Sequence, residues 1–416
     1  MATKQCCGCI GSITRNGLSS RIASRQIRIA SRPLLNTSRS LTTTQHTVTS
    51  NTPSMPSVNG QAIPSTSSSY KPTPATLPQA PFPIFTTVAD FRKWRKEQMK
   101  QDKSVGFVPT MGALHEGHLA LVKESLREND ETVVSIFVNP AQFAPTEDLS
   151  SYPRTMESDI AALNRLASTM SNHKQISAIF APTVPEMYPS PDGKPFTQVV
   201  SDQIGAFVEV AGLQHKMEGS SRPTFFRGVA TVVTKLFHIV QPDQAYFGQK
   251  DIQQAILLRR LVSDLLFAHP PSPEALRIMP TTRDPIDGLA LSSRNAYLTQ
   301  RARPHANILY RALCAGQKAW DENPGDIQAT LQAARQKAKQ IAEEADKDGI
   351  DLDILYIDLN DPVDLDNLEN RRGKSIIDPQ TISQRGAILS GAALIKEGRN
   401  GRVTRLIDNF LLGFKL

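Results

Sequence analysis

Two histidines three residues apart, directly after an apolar run, mark the first place where this chain could do chemistry. The segment is PTMGALHEGHL, residues 109–119. Met111 and Gly112 suit a turn, and His115-Glu116-Gly117-His118 suits the opening of a helix. Residues at i and i+3 share a helical face, so both imidazoles can donate toward one ligand. Gly117 lets backbone approach that ligand, and a helix N-terminus offers N–H groups and partial positive charge to phosphate. Zinc fits poorly, since it needs a third ligand and usually a His-x-x-x-His step. The chemistry indicated is the electrostatic handling of phosphate.

Four further stretches fit that reading. In AYFGQKDIQQ (245–254) a strand end delivers Gly248 and Gln249, then Lys250 and Asp251 head a helix that carries Gln253 and Gln254. A lysine ammonium is a compact charge suited to a point between two anions that repel each other. GLALSSRNAYL (288–298) sets Leu291, the hydroxyls of Ser292 and Ser293 and the fork of Arg294 on a loop able to close over a triphosphate. In SIFVNPAQFAPTEDLSSYPRT (135–155), Asn139 ends a strand and Gln142 can hydrogen-bond a hydroxylated substrate, while the carboxylates after Pro153-Arg154 are candidates to hold magnesium through water. MEGSSRPTFFRGVATVV (217–233) puts Arg222 and Arg227 before a helix, as an anion clamp or an interface. No Gly-x-x-x-x-Gly-Lys-Ser/Thr loop occurs, and no Ser or Cys elbow.

Side chains so far apart in sequence meet only if strands deliver them to one edge. A helix over 86–101 precedes the strand SVGFVP (104–109), and the helix ALHEGHLALVKESLREN follows. Next come TVVSIFVN (132–139), a helix within 156–170, and ISAIFAP (176–182). The helix VATVVTKLFHIVQ (229–241), the strand AYFGQ (245–249), the helix IQQAILLRRLVSDLL (252–266) and the run RIMPTTR (277–283) close the series. Short Val/Ile-rich runs alternating with helices predict βαβ units and a doubly wound, Rossmann-like parallel α/β sheet over 84–287, with ligands at the carboxyl ends of its strands. From 288 to 416 two helices precede LDILYIDL, GAILSGAALIK and RVTRLIDNF, a smaller α+β domain.

Composition narrows the alternatives. Of the net charge of +7, residues 1–89 contribute +8, with eight Lys or Arg and no Asp or Glu, leaving −1 on the rest. The basic character belongs to the tail, so a nucleic-acid footprint on the folded part is unsupported. No run of eighteen apolar residues predicts a membrane span. The Arg- and Ser-rich, acid-free first thirty-odd residues have the pattern of a mitochondrial transit peptide, with a cytoplasmic protein bearing a basic tail as the alternative. Residues 41–83 read as a Ser/Thr/Pro linker. Cys6, Cys7 and Cys9 lack a second ligand pair at zinc-finger spacing, and Cys314 reads as a small core residue. The terminal Phe-Lys-Leu is only weakly like a peroxisomal signal.

PTMGALHEGHL, FVNPAQF, FRGV, GQKD and LALSSRN, in this order, resemble pantothenate synthetase (pantoate–β-alanine ligase), a family of the nucleotidyltransferase superfamily related to class I aminoacyl-tRNA synthetases. The resemblance spans roughly residues 84–416. It implies that ATP adenylates the carboxylate of (R)-pantoate and that β-alanine then displaces AMP to give pantothenate. It implies that Met111 to His118, Gly248 to Asp251, Thr282 and Leu291 to Arg294 contact ATP, with His118, His115, Lys250, Ser292 and Arg294 catalytic. It places Gln142, Gln254 and Asn139 at pantoate or β-alanine, adds Mg2+ as the companion of ATP, and implies a homodimer with the C-terminal domain as a lid. This chain departs from the family pattern at Phe225, where many relatives have His, and at Gln249, usually Glu. Its Asp284-Pro285-Ile286-Asp287 link also looks one residue longer. A nucleotidylyltransferase acting on a phosphate ester and a degenerate nucleotide-binding protein are the rival readings; the retained His118, Lys250, Ser292 and Arg294 argue against the second.

Overall fold

The structure, a computed structural model, describes residues 77–171, 174–371, 377–398 and 401–416. The expected transit segment, Cys6, Cys7 and Cys9, and the expected linker as far as residue 76 lie outside the described residues. The linker reading fails at its C-terminal end. Phe82 is buried and Ala80 packs beside it in the core, so packed chain begins before residue 84.

The strands β1 (Ile84–Phe85), β2 (Val105–Thr110), β3 (Glu131–Ile136), β4 (Ala178–Phe180), β5 (Gln244–Gly248) and β6 (Leu276–Met279) form one sheet in the order β1-β4-β3-β2-β5-β6. All its pairings are parallel. Around it run α1 (Val88–Lys100), α2 (Glu116–Glu128), α3 (Met156–Ser168), the short α4 (Val184–Met187) and α5 (Glu218–Ser221), α6 (Phe225–Val240) and α7 (Ile252–Asp264). With helices on both faces, central strands have no solvent side. Val105, Phe107 and Val108 of β2 are all fully buried, and this is why the strand reads as a continuous apolar run. Pro109 is tolerated in so central a strand because of register. Val105 O accepts from Asp243 N on the β5 side, so residues 105, 107 and 109 face β5, whose pairing with β2 stops at Phe107. The missing N–H of Pro109 therefore costs no ladder bond.

From β2 the sheet grows outward through β3 and β4, then β5 returns to the other side of β2 and β6 continues that way. The topological switch lies between β2 and β5, whose carboxyl ends are Thr110 and Gly248. This brings the two histidines and Lys250 to one crevice.

A second, antiparallel sheet contains β7 (Ile350–Asn360), β8 (Ala387–Glu397) and β9 (Thr404–Leu412), in that order. Against it lie α8 (Ile308–Glu322) and α9 (Ile327–Lys347), while α10 (Pro379–Arg385) connects β7 to β8. Its core gathers Leu313, Trp320, Leu331, Ile341 and Leu389. Cys314 is half-buried on α8, and burial raises its thiol. Among the described residues no helix is long and apolar enough to cross a membrane.

Candidate active site

The turn after β2 is shaped by two successive left-handed residues, Gly112 at φ 83° and Ala113 at φ 51°. They delay α2, which begins at Glu116 rather than at Ala113 as its sequence suggests. A Cβ on Gly112 would sit 3.1 Å from Asp159 Oδ2 and 3.2 Å from Ile136, so this position needs glycine for space as well as for conformation. Asp159 reaches the turn from α3. Its Oδ2 accepts from Ala113 N at 3.0 Å, its Oδ1 from Leu114 N at 2.8 Å, and Thr155 Oγ1 donates to both oxygens at 3.2 Å. Burial raises this carboxyl above its ordinary value while the two amides and the hydroxyl pull it back. Asp159 thus anchors the turn, and its oxygens are taken. Among the described residues no group of three His, Cys, Asp or Glu converges as a metal site.

His115 is the N-cap of α2. Its Nδ1 accepts from Gly117 N at 3.1 Å, and His118 Nδ1 accepts from His115 N at 3.4 Å. The rings lie against each other with centroids 4.1 Å apart. A Cβ on Gly117 would fall 2.7 Å from His115 Cε1, so this glycine makes room for the imidazole rather than for a ligand. Burial lowers the pKa of His115 to about 4, with the Lys250 ammonium adding to it. Burial lowers that of His118 to about 3, with His115 and then Lys250 adding. Both rings are therefore neutral near pH 7. An Nδ1 that accepts an N–H carries no proton, so the proton resides on Nε2, which is the donor each ring offers. In the ligand-free protein, imidazole nitrogen NMR should find both as neutral Nε2–H tautomers down to about pH 5. A midpoint near 6.5 for either would contradict this geometry. The unfolded chain, with ordinary histidines, binds more protons between about pH 3 and pH 6.5. The contribution of this pair to stability is thus complete above 6.5 and is lost as the pH falls through that window.

Lys250 follows Gly248 in a single 3-10 turn, Gln249–Asp251, before α7. Its Nζ lies 3.3 and 3.4 Å from the carboxylate of the adjacent Asp251. A Cβ on Gly248 would meet nothing within 4 Å, so the protein leaves space there. On the opposite side Asn139 Oδ1 accepts from Tyr188 Oη at 2.7 Å and from Ala141 N at 3.3 Å. Its Nδ2 donates to Gly228 O at 3.2 Å and to Gln142 Oε1 at 3.0 Å. Gln142 Nε2 then donates to Met111 Sδ at 3.0 Å. A thioether is a weak acceptor, so that amide remains available to a better one. Gly228 permits this arrangement, since a Cβ there would lie 2.1 Å from Ala141 O and 2.6 Å from Gln142 N.

The 288–298 segment closes the crevice. Ser293 Oγ donates to Ala113 O at 3.1 Å, Leu291 N to Thr282 O at 3.0 Å, and Ser292 Oγ accepts from Arg294 N at 3.3 Å. Arg294 pairs with Asp148 at 3.2 Å. Arg222 forks onto Glu147 at 2.8 and 2.5 Å and lies 3.9 Å over the Phe225 ring. The second sheet contributes Tyr356, whose hydroxyl donates to Glu218 at 2.7 Å, and Arg405, which meets the same carboxylate at 2.7 Å. The cavity enclosed is about 310 Å3.

The Pantoate-beta-alanine ligase family model matches residues 83–411. The chain belongs to the pantoate–β-alanine ligase family. The pantoate–β-alanine ligase of Saccharomyces cerevisiae is 41% identical over 339 residues, covering 79% of this chain and 99% of that one. The pantothenate synthetase of Syntrophomonas wolfei is 40% identical over 330 residues, covering 79% and 99%. Among solved structures, pantothenate synthetase from Thermus thermophilus is 36% identical, with a TM-score of 0.59, covering 79% of this chain and 99% of that one. Pantoate–β-alanine ligase from Francisella tularensis, solved with β-γ ATP and β-alanine, is 29% identical with a TM-score of 0.53, covering 79% and 97%.

Within this ligase fold the cavity wall includes Met111, His115, Gly117, His118, Gly248, Lys250, Asp251, Thr282, Leu291 to Arg294, Gln142, Gln254 and Asn139. Others expected at ATP stand off it. Gly112, Ala113 and Leu114 serve the Asp159 anchor, Glu116 is exposed in the first turn of α2, and Gln249 turns to Asn409 of β9 at 3.3 Å. Asn139 lines the cavity, but all its amide groups are engaged, so it orients Gln142. Arg227 faces away, paired with Gln203 and Glu209 and lying over Phe207. Asp159, Gly228, the Glu218 contacts and Asn409 have no signal in the local motifs.

Proposed function

We propose that this chain condenses (R)-pantoate with β-alanine at the expense of ATP, through a pantoyl adenylate, giving pantothenate, AMP and pyrophosphate. The observation that carries the reading is one cavity at the β2–β5 switch ringed by two Nε2–H donors, Lys250 and the Ser292–Arg294 segment. A carboxylate oxygen of pantoate attacks the α-phosphorus of ATP, and the bond to pyrophosphate breaks. The amine of β-alanine then attacks the acyl carbon, the bond to AMP breaks, and the amine proton passes to solvent. Pantoate and triphosphate are both anions, so the protein must align them and spread the negative charge that develops. Neutral donors at His115 and His118 and the cation at Lys250 supply this without a protein nucleophile. Gln142 and Gln254 bind pantoate, the side chain of the latter making no hydrogen bond to other described residues, and Gln142 borders the β-alanine site. Magnesium enters with ATP as part of the substrate, and no step is routed through it.

Incubation with pantoate, β-alanine and ATP should yield pantothenate and AMP in equal amounts. ADP as the stoichiometric product would overturn the reading in favour of an acyl phosphate.

The segment from 288 onward acts as a lid, the enzyme works as a homodimer, and the acid-free N-terminus directs it to mitochondria. These three statements rest on the family resemblance and on the tail composition. Because the chain enters the core from Ala80, a chain beginning at Leu77 should match the full chain in turnover and melting temperature. A turnover reduced more than about threefold would show that the tail serves the enzyme.

A further inference from the structure

The second sheet meets the Lys250 turn through Asn409 in the middle of β9, beside Asp408. Asn409 is 1% exposed, and its Nδ2 donates to Gln249 O and to Lys250 O, both at 2.9 Å. Its Oδ1 accepts from Gln249 Nε2 at 3.3 Å. Asp408 accepts from both Arg283 terminal nitrogens at 2.6 and 2.8 Å, and its Oδ1 also accepts from Asn409 N at 2.8 Å. Arg283 directly follows Thr282 on the cavity wall.

We propose that Asn409 is a positioning residue for adenylation, holding the backbone from which Lys250 reaches the cavity. The inference rests on the adenylating reading above. Gln249–Asp251 is a short 3-10 turn between β5 and α7, with no side-chain cap and preceded by a glycine, so little within the turn itself fixes where Lys250 points. The Asp251 carboxylate beside Lys250 Nζ belongs to the same turn and moves with it. Asn409 ties that turn to the second sheet, while the Arg283–Asp408 pair fixes the neighbouring residue against the segment that follows β6. A cation displaced by an ångström is misaligned with the charge developing on the transferred adenylyl group while still attracting ATP.

The test is a double-mutant cycle read by pantoate-dependent exchange of labelled pyrophosphate into ATP. Asn409→Ala should lower kcat about tenfold or more, with KM for ATP within about threefold. In a Lys250→Ala background the same change should lower kcat less than about threefold, because the group it positions is gone. Additive losses would overturn the proposal, since a merely structural asparagine acts whether or not the lysine is present. Asn409→Ser keeps one donor and should fall between, and it carries the cycle if the alanine variant melts below the assay temperature. Absence of exchange in the unmodified enzyme would remove the adenylating reading itself. Exchange in the unmodified enzyme with additive losses in the cycle would remove only the role of Asn409.

Discussion

His118→Ala should lower kcat for pantothenate formation by on the order of a hundredfold to a thousandfold, with KM for ATP and pantoate moving less than about threefold. The ring is desolvated, neutral and fixed in its tautomer by the His115 amide, so it offers one oriented Nε2–H. Such a donor binds a ground-state phosphate only slightly better than water does. It binds more strongly once charge collects on the oxygens around the α-phosphorus, so its loss appears in turnover. A neutral donor also has little long-range attraction for ATP, which leaves KM nearly unchanged. Turnover within about threefold of the unmodified enzyme would remove His118 from the reaction. The contact with His115 gives the substitution a second effect, because it leaves the His115 N–H without its acceptor.

Asp159→Asn should lower kcat about tenfold to a hundredfold, reduce the melting temperature, and show no rescue by raised magnesium. Each carboxylate oxygen serves a different amide, Ala113 N and Leu114 N. Asparagine has one oxygen, so its NH2 would confront one of those N–H groups. A buried donor left unsatisfied costs about 1–3 kcal/mol. That amount is enough to release the left-handed turn that sets the start of α2 and hence both imidazoles. Were Asp159 a magnesium ligand instead, excess magnesium would restore part of the rate and the melting temperature would hardly move. Titrating magnesium against kcat separates the two.

The parts of this site readable from sequence sit at strand-to-helix junctions, where local pattern and chemistry coincide. An apolar strand followed by a turn and a polar helix start locates His115, His118 and Lys250 without any knowledge of the rest. Asp159 gives no such signal, because its partners lie 45 and 46 residues away. One trace of it exists, since it occupies the apolar face of α3 with Ile160, Leu163 and Ala167, where an unpaired carboxylate would be unstable. Asp408-Asn409 interrupts the apolar run of residues 406–412 in β9 in the same way. Gly228 in the first turn of α6 is read by propensity as a weak helix residue, and only its contact with Ala141 O explains it. In each case a polar or glycine residue breaks the local rule because a distant segment requires it. The start of α2 escapes sequence reading for a related reason, because nothing in Gly-Ala-Leu announces that Ala113 adopts a left-handed backbone.

On the proposed mechanism this crevice activates a carboxylate as an adenylate before any amine takes part. Exchange of labelled pyrophosphate into ATP, measured with pantoate present and β-alanine absent, reads that step alone. An adenylating site gives exchange that depends on pantoate and ceases when pantoate is omitted. No pantoate-dependent exchange, with pantothenate formed only when all three substrates are present and ADP released, would contradict it.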